Sequence, residues 1–117
     1  MRIGAAQIPV TTNVEDNLKN ILEACDWAVK NKLDYLLTPE CALSGYDTMT
    51  WNLNTCGPTE QAMEKLKEYS KNTGLGLAIG TLWIYDKDNQ TTGFGNGITR
   101  NQLTFIQKGE IIGYVAK

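Results

Sequence analysis

Tyr35-Leu36-Leu37-Thr38-Pro39-Glu40-Cys41-Ala42-Leu43-Ser44-Gly45-Tyr46 is the stretch on which the fold turns. Tyr35, Leu36 and Leu37 have strand-forming character, and Pro39 has no amide proton to give a sheet ladder, so the strand should end there. Glu40 then stands just past a strand end, at the head of a mostly apolar loop closed by Ser44-Gly45. In α/β sheets, ligands collect at the carboxyl ends of strands. A carboxylate flanked by Pro39, Cys41, Ala42 and Leu43 is expected to be partly desolvated, which raises its pKa and suits it to trade protons near neutrality. The competing reading is that Glu40 only caps a following turn.

Upstream, residues 2–10 form a compact apolar run stopped by Pro9 and the Thr11-Thr12 pair, as expected of a buried first strand. Asn13 can cap a helix whose first turn carries Glu15 and Asp16 at the positive end of its dipole. Val14, Leu18, Ile21, Leu22, Cys25, Ala28 and Val29 recur at helical spacing and make one apolar stripe, which places Cys25 in the core. Asn31 and Lys32 end this helix, and residues 33–38 are the second strand leading to Glu40. Such a βαβ unit has parallel strands and a right-handed crossover.

Downstream, residues 47–57 read as loop, with Met49, Trp51, Leu53 and Cys56 too irregularly spaced for a helix or a strand. Pro58 suits the first turn of a second helix, with Ala62, Leu66, Tyr69 and Thr73 on its inner face and Gly74 as C-cap. Residues 75–85 are nearly continuously apolar, as in a strand buried on both faces. The glycine-rich run 91–97 is expected to be a mobile loop, because a phosphate cradle needs a helix directly after it and none follows. Residues 98–106 instead read as a strand, Gln107-Lys108-Gly109 as a hairpin turn, and residues 110–116 as a returning strand.

Composition narrows the function. With 117 residues, 42% of them hydrophobic, the chain is a single domain with a modest core. A net charge of −2 and the lack of a basic stripe argue against nucleic acid and anionic membrane as partners. Met1-Arg2-Ile3-Gly4-Ala5-Ala6 lacks the apolar segment of a signal peptide and no transmembrane run is present, so a cytoplasmic location is expected. Cys25, Cys41 and Cys56 are odd in number and follow no zinc spacing, which suggests reduced thiols and no metal. The absence of histidine excludes a Ser-His or Cys-His catalytic pair within the chain.

The element order and several short motifs resemble the N-terminal part of the nitrilase superfamily of carbon-nitrogen hydrolases. Met1-Arg2-Ile3-Gly4-Ala5-Ala6-Gln7 is similar to the family's opening strand, and Asn17-Leu18 falls where its first helix carries that pair. Pro39-Glu40 with Ala42-Leu43-Ser44-Gly45-Tyr46 resembles the motif of the catalytic glutamate. Asn101 with residues 102–106, then Gly109-Glu110-Ile111-Ile112-Gly113, is similar to the strand and hairpin leading to the catalytic lysine, here matched by Lys117. Val115 and Ala116 depart from the tyrosine and arginine that commonly precede that lysine.

The resemblance implies half of an α-β-β-α sandwich: an α/β fold with a mixed sheet and two helices on one face, making residues 1–117 a single truncated carbon-nitrogen hydrolase domain. It implies a Glu-Lys-Cys triad acting on non-peptide amide or nitrile bonds, without a cofactor. Glu40 would be the general base and Lys117 would stabilise charge on the tetrahedral intermediate. The attacking cysteine of the family lies beyond the position that matches Lys117. Tyr46 and Trp51 are expected to form a partly apolar substrate wall. The second sheet face has no cover within this sequence, so a homo-oligomer packed sheet to sheet, or a separately encoded second half, is expected. Three readings follow: an incomplete hydrolase that handles a small amide or nitrile once completed, a non-catalytic binding or assembly module, and an enzyme whose nucleophile is Cys41, Cys56 or another chain's thiol.

Overall fold

A computed structural model describes residues 1–46, 56–84 and 99–117. The loop residues Met49, Trp51 and Leu53 and the glycine-rich run 91–97 lie outside the described residues. Among those described, the order is β1 (Ile3–Ala5), α1 (Val14–Lys30), β2 (Tyr35–Leu37), α2 (Cys56–Thr73), β3 (Gly76–Ile84), β4 (Thr99–Gln107) and β5 (Glu110–Ala116). The five strands form one mixed sheet in the order β1-β2-β3-β4-β5, the same as their order along the chain. β1, β2 and β3 run parallel, while β4 and β5 pair antiparallel.

Local chemistry sets most boundaries. The Asn13 side chain accepts from the amide of Asp16, as an N-cap should, and Glu15 and Asp16 occupy the first turn. Gly74 ends α2 at φ +77, a conformation that costs glycine little. Lys108 and Gly109, both at positive φ, make the tight β4–β5 turn whose twist matches the flanking strands.

Alternate residues divide the sheet into two faces. On one, Leu36, Leu77, Ile79 and Ile106 pack beneath Leu18, Ile21, Cys25 and Ala28 of α1 and Ala62, Met63 and Leu66 of α2. The Tyr69 hydroxyl donates to Asp26 Oδ1 at 2.7 Å and ties the two helices together. Burial and that acidic partner push the phenol up. On the other face the register aligns Ile3 with Tyr35 and Gly76, Leu37 with Ala78 and Phe105, and Gly80 with Leu103 and Val115. Leu82 and Ile84 of this face are buried with Cys41 and with Cys56 of α2, whereas Ile3 (65%), Leu37 (39%) and Val115 (64%) stay exposed.

Several expectations need correction. The first strand has three residues rather than nine and is not buried: it lies at the sheet edge, and Pro9 and the residues before it leave the ladder after Ala6. An apolar run does not say which strand ends up outermost. The second helix begins at Cys56, so Cys56 belongs to its first turn and packs with Cys41, Leu82 and Ile84. Thr73 is exposed, its hydroxyl bonded to the carbonyl of Tyr69, and Met63 and Ser70 complete the inner face instead. β3 is buried on both faces along nearly its whole length, as the sequence indicated.

Candidate active site

The site is built around the turn that follows β2. Thr38 extends the pairing beyond the strand: its hydroxyl donates to the carbonyl of Ala78 and accepts from the amide of Gly80, each at 3.0 Å. The chain then rises over β3 and returns, with the amide of Leu43 donating to the carbonyl of Gly80 at 3.0 Å. Ser44 Oγ accepts from the amide of Leu82 and donates to the carbonyl of Gly45. Asn17, fully buried, clamps the turn from the helix side, accepting from the amide of Thr11 and donating to the carbonyls of Thr11 and Leu43. The buried polar side chains of Asn17, Thr38 and Ser44 are thereby paired, so the turn is a fixed platform.

From that platform Glu40 meets two donors on one oxygen. Asn101 Nδ2 of β4 donates to Oε1 at 2.6 Å, and Lys117 Nζ, just past β5, donates to the same atom at 2.8 Å across 77 residues of sequence. The ion pair is largely open to water, the side chains being 43% and 76% exposed for Glu40 and Lys117. The expected rise in the carboxyl pKa is overturned. The hydrogen bond and charge of Lys117, with the bond from Asn101, hold Glu40 below the usual carboxylate range, and burial contributes only a weak opposing push. Glu40 is thus ionised at neutrality and free to accept a proton, with its proton affinity reduced by the two donors. Lys117 is pushed above the usual lysine range, first by the hydrogen bond and then by the charge of Glu40.

These opposite shifts fix a pH window. A depressed carboxyl contributes stability above its unfolded-state pKa and loses it as pH falls through the folded value. A raised lysine contributes below its unfolded-state pKa and loses its share as pH rises through the folded value. The contact is therefore expected to persist through the neutral range, opening only in acid below the ordinary carboxylate range and in base above the ordinary lysine range. NMR titration of the Glu40 carboxyl carbon and the Lys117 side chain checks this, and opening near neutrality would count against the geometry.

Glu40, Asn101 and Lys117 border a cleft of about 500 Å³ whose remaining wall includes Leu37, Leu103 and Val115. Cys41 follows Glu40 at φ +54 and is buried, its thiol 3.7 Å from Asn101 Oδ1. Burial, with the charge of Glu40 behind it, pushes this thiol up to about 11, so it is protonated and a poor nucleophile at neutral pH. Cys25 is pushed up to about 12, again mainly by burial, and is a core residue as its helical spacing indicated. Tyr46 is exposed beside the turn and is not among the residues lining the cleft, and Trp51 lies outside the described residues. The motif reading named Glu40 and Lys117; Asn101 was visible only as the head of the strand leading to the lysine. Among the described residues no group of three His, Cys, Asp or Glu could hold a metal ion, and no helix is long and apolar enough to cross a membrane.

Comparison with known proteins agrees with this architecture. A family model described as carbon-nitrogen hydrolase matches residues 2–117. The chain is 28% identical over 111 residues to nitrilase homolog 2 of Dictyostelium discoideum, covering 95% of this chain but only 32% of that protein. It therefore spans about a third of that relative's length. Among solved structures, all of this chain superposes on 19% of a glutamine-dependent NAD(+) synthetase from Cytophaga hutchinsonii (TM-score 0.73, 26% identity). It likewise superposes on 42% of an amidase from Nesterenkonia sp. (TM-score 0.77, 19% identity), a likeness of fold alone. The mixed five-strand sheet with two helices is thus the fold shared with part of a nitrilase-type amidase, as the sequence led us to expect.

Proposed function

This chain belongs to the carbon-nitrogen hydrolase family, and from that premise we propose that it supplies the base and the cation of a Glu-Lys-Cys hydrolase acting on a small non-peptide amide or nitrile. The attacking thiol comes from outside residues 1–117. Glu40 takes the thiol proton, and the thiolate forms a bond to the substrate carbon. Lys117 stabilises the negative charge that develops there, and for an amide Glu40 passes its proton to the leaving nitrogen as the tetrahedral intermediate collapses to a thioester and ammonia. Water activated by Glu40 then breaks the thioester, giving the acid and restoring the thiol. The observation that carries this reading is the convergence of Glu40 and Lys117, from distant parts of the sequence, at 2.8 Å beside a cleft. A mutant of the Nesterenkonia amidase shows covalent addition of the acetamide moiety of fluoroacetamide at its active-site cysteine, a precedent for a reactive thiol in this fold.

Covalent capture tests the assignment. After incubation with an electrophilic amide or nitrile analogue, mass spectrometry is expected to find no adduct on Cys25, Cys41 or Cys56 of the 117-residue chain. A protein that carries this chain together with the segment supplying the thiol is expected to take the adduct on a cysteine of that segment and to release ammonia from short amides. An acyl adduct on Cys41, or ammonia release that needs no thiol outside residues 1–117, overturns it.

The exposed face bearing Ile3, Leu37 and Val115 bears on assembly. Apolar sheet faces drive association, and we propose that this one is covered in the working protein by a second copy or by a separate second half. Sedimentation of the isolated chain is expected to show at least a dimer; a stable monomer with native-like hydrogen-exchange protection would remove the proposal.

A further inference from the structure

We propose that Asn101 is the positioning residue of the Glu40–Lys117 pair, the one side chain that fixes where carboxylate and ammonium meet. The proposal deepens the hydrolase reading and rests on it. Glu40 rides on a turn above β3, and Lys117 follows β5; β4 runs between those two strands. Asn101 of β4 reaches both. Its Nδ2 donates to Glu40 Oε1 at 2.6 Å, and its backbone carbonyl accepts from the amide of Lys117 at 2.9 Å. Lys117 Nζ closes the ring at 2.8 Å on the same Oε1. The third contact fixes the amide's orientation, because Oδ1 faces the thiol of Cys41 at 3.7 Å. A flipped carboxamide would set two oxygens against each other at Glu40, so the chemistry favours this arrangement.

The physical need for such a residue is plain. Lys117 is a long, mostly exposed side chain, and an isolated surface ion pair must restrain several rotatable bonds for little return. Asn101 is short, stands on a strand paired on both sides, and holds one end of the pair at its carboxylate and the other at its backbone. A stiff shared neighbour of this kind preorganises two groups that would otherwise sample many arrangements. Both donors take Oε1, and among the described residues none reaches Oε2, which leaves Oε2 as the oxygen for the thiol proton.

A double-mutant cycle read at the Glu40 carboxyl carbon by NMR tests this, using the 117-residue chain, Asn101→Ala, Lys117→Met and both together. The other titratable groups facing the pair are Cys41 and, beside the lysine, Tyr46 and the α-carboxylate of the 117-residue chain, and the Glu40 signal is assigned by its loss in Glu40→Gln. Asn101→Ala is expected to move Glu40 protonation to higher pH. The decisive expectation is that Lys117→Met shifts that titration less in the Asn101→Ala background than in the parent, because the Glu40 carboxylate is no longer held where the lysine reaches it, although the main-chain bond from Lys117 to residue 101 survives. Equal shifts in both backgrounds would overturn the proposal and make Asn101 an independent donor. If Lys117→Met moves nothing in the parent, the pair itself is wrong and the hydrolase reading fails with it, which is a different result. Asn101→Ser repeats the cycle should alanine disturb β4. Loss of the folded amide spectrum in both variants would also overturn the proposal, since Asn101 would then hold the sheet rather than the pair.

Discussion

In the thiol-bearing assembly, Glu40→Gln is expected to lower kcat for amide hydrolysis by about a thousandfold, the middle of the range for losing a positioned general base. That factor corresponds to about 4 kcal/mol of barrier at 25 °C. Glutamine has nearly the same shape and keeps an oxygen that can accept from Asn101 and Lys117, so the cleft should retain its form. What disappears is the negative charge and the affinity for a proton, which are needed when the thiol attacks and again when water does. KM should change little, because the loss falls on the transition state. The thermal midpoint should barely move, since the pair is open to water and an exposed ion pair adds little to stability. Steady-state ammonia release together with a melting curve decides the matter. Activity within tenfold of the parent would remove Glu40 as the base, and a loss that follows a fall in the melt would make it structural.

The second large effect is expected at Gly80. A β-carbon there would be driven into the carbonyl oxygen of Pro39 and would stand 3.0 Å from the amide nitrogen of Cys41 and 3.1 Å from Glu40 Cα. All three are backbone atoms, which cannot swing aside as the tip of a side chain can. Both polar groups of Gly80 are also engaged by the turn, its amide with Thr38 Oγ1 and its carbonyl with Leu43. Gly80→Val must therefore lift the turn off β3, and a destabilisation of about 3 kcal/mol is expected from such overpacking. For a domain with a total stability of roughly 5–15 kcal/mol, that is a large fraction. Glu40 should separate from Lys117 at the same time. Gly113→Ala on β5 is the control: a β-carbon there meets nothing within 4 Å, and its effect should stay within about 0.5 kcal/mol. Urea unfolding of both variants checks the pair, and equal effects would mean that strand propensity, not the crossing of the turn, governs Gly80.

What could be read from the sequence was what is decided within a few residues. Asn13 caps α1 through the amide of Asp16, three positions on, and Gly74 and the Lys108-Gly109 turn declare themselves by residue type. The stripe through Leu18, Ile21 and Cys25 likewise needs only helical spacing. The misreadings share a dependence on distant partners. Residues 2–10 look like a buried strand because the pattern carries no sign that β1 pairs on one side only. The pKa of Glu40 was misjudged from its neighbours in sequence, whereas two donors, 61 and 77 positions away, set it. Asn17 could be noted beside Leu18, but its buried bond to the carbonyl of Leu43 spans 26 residues and depends on the finished fold. Lys117 was named through family resemblance; nothing in its local sequence points to Glu40.

The agreement between strand order in space and strand order in the chain has a consequence for synthesis. As the polypeptide leaves the ribosome, each new strand finds the edge it needs already formed by the one made just before it, so the sheet can extend from one side without waiting for a distant piece. Glu40 is delivered early and its ammonium partner Lys117 only after the β5 hairpin has closed. A nascent chain whose β5 hairpin is not yet made therefore holds the Glu40 carboxylate without the ammonium that meets it in the finished sheet.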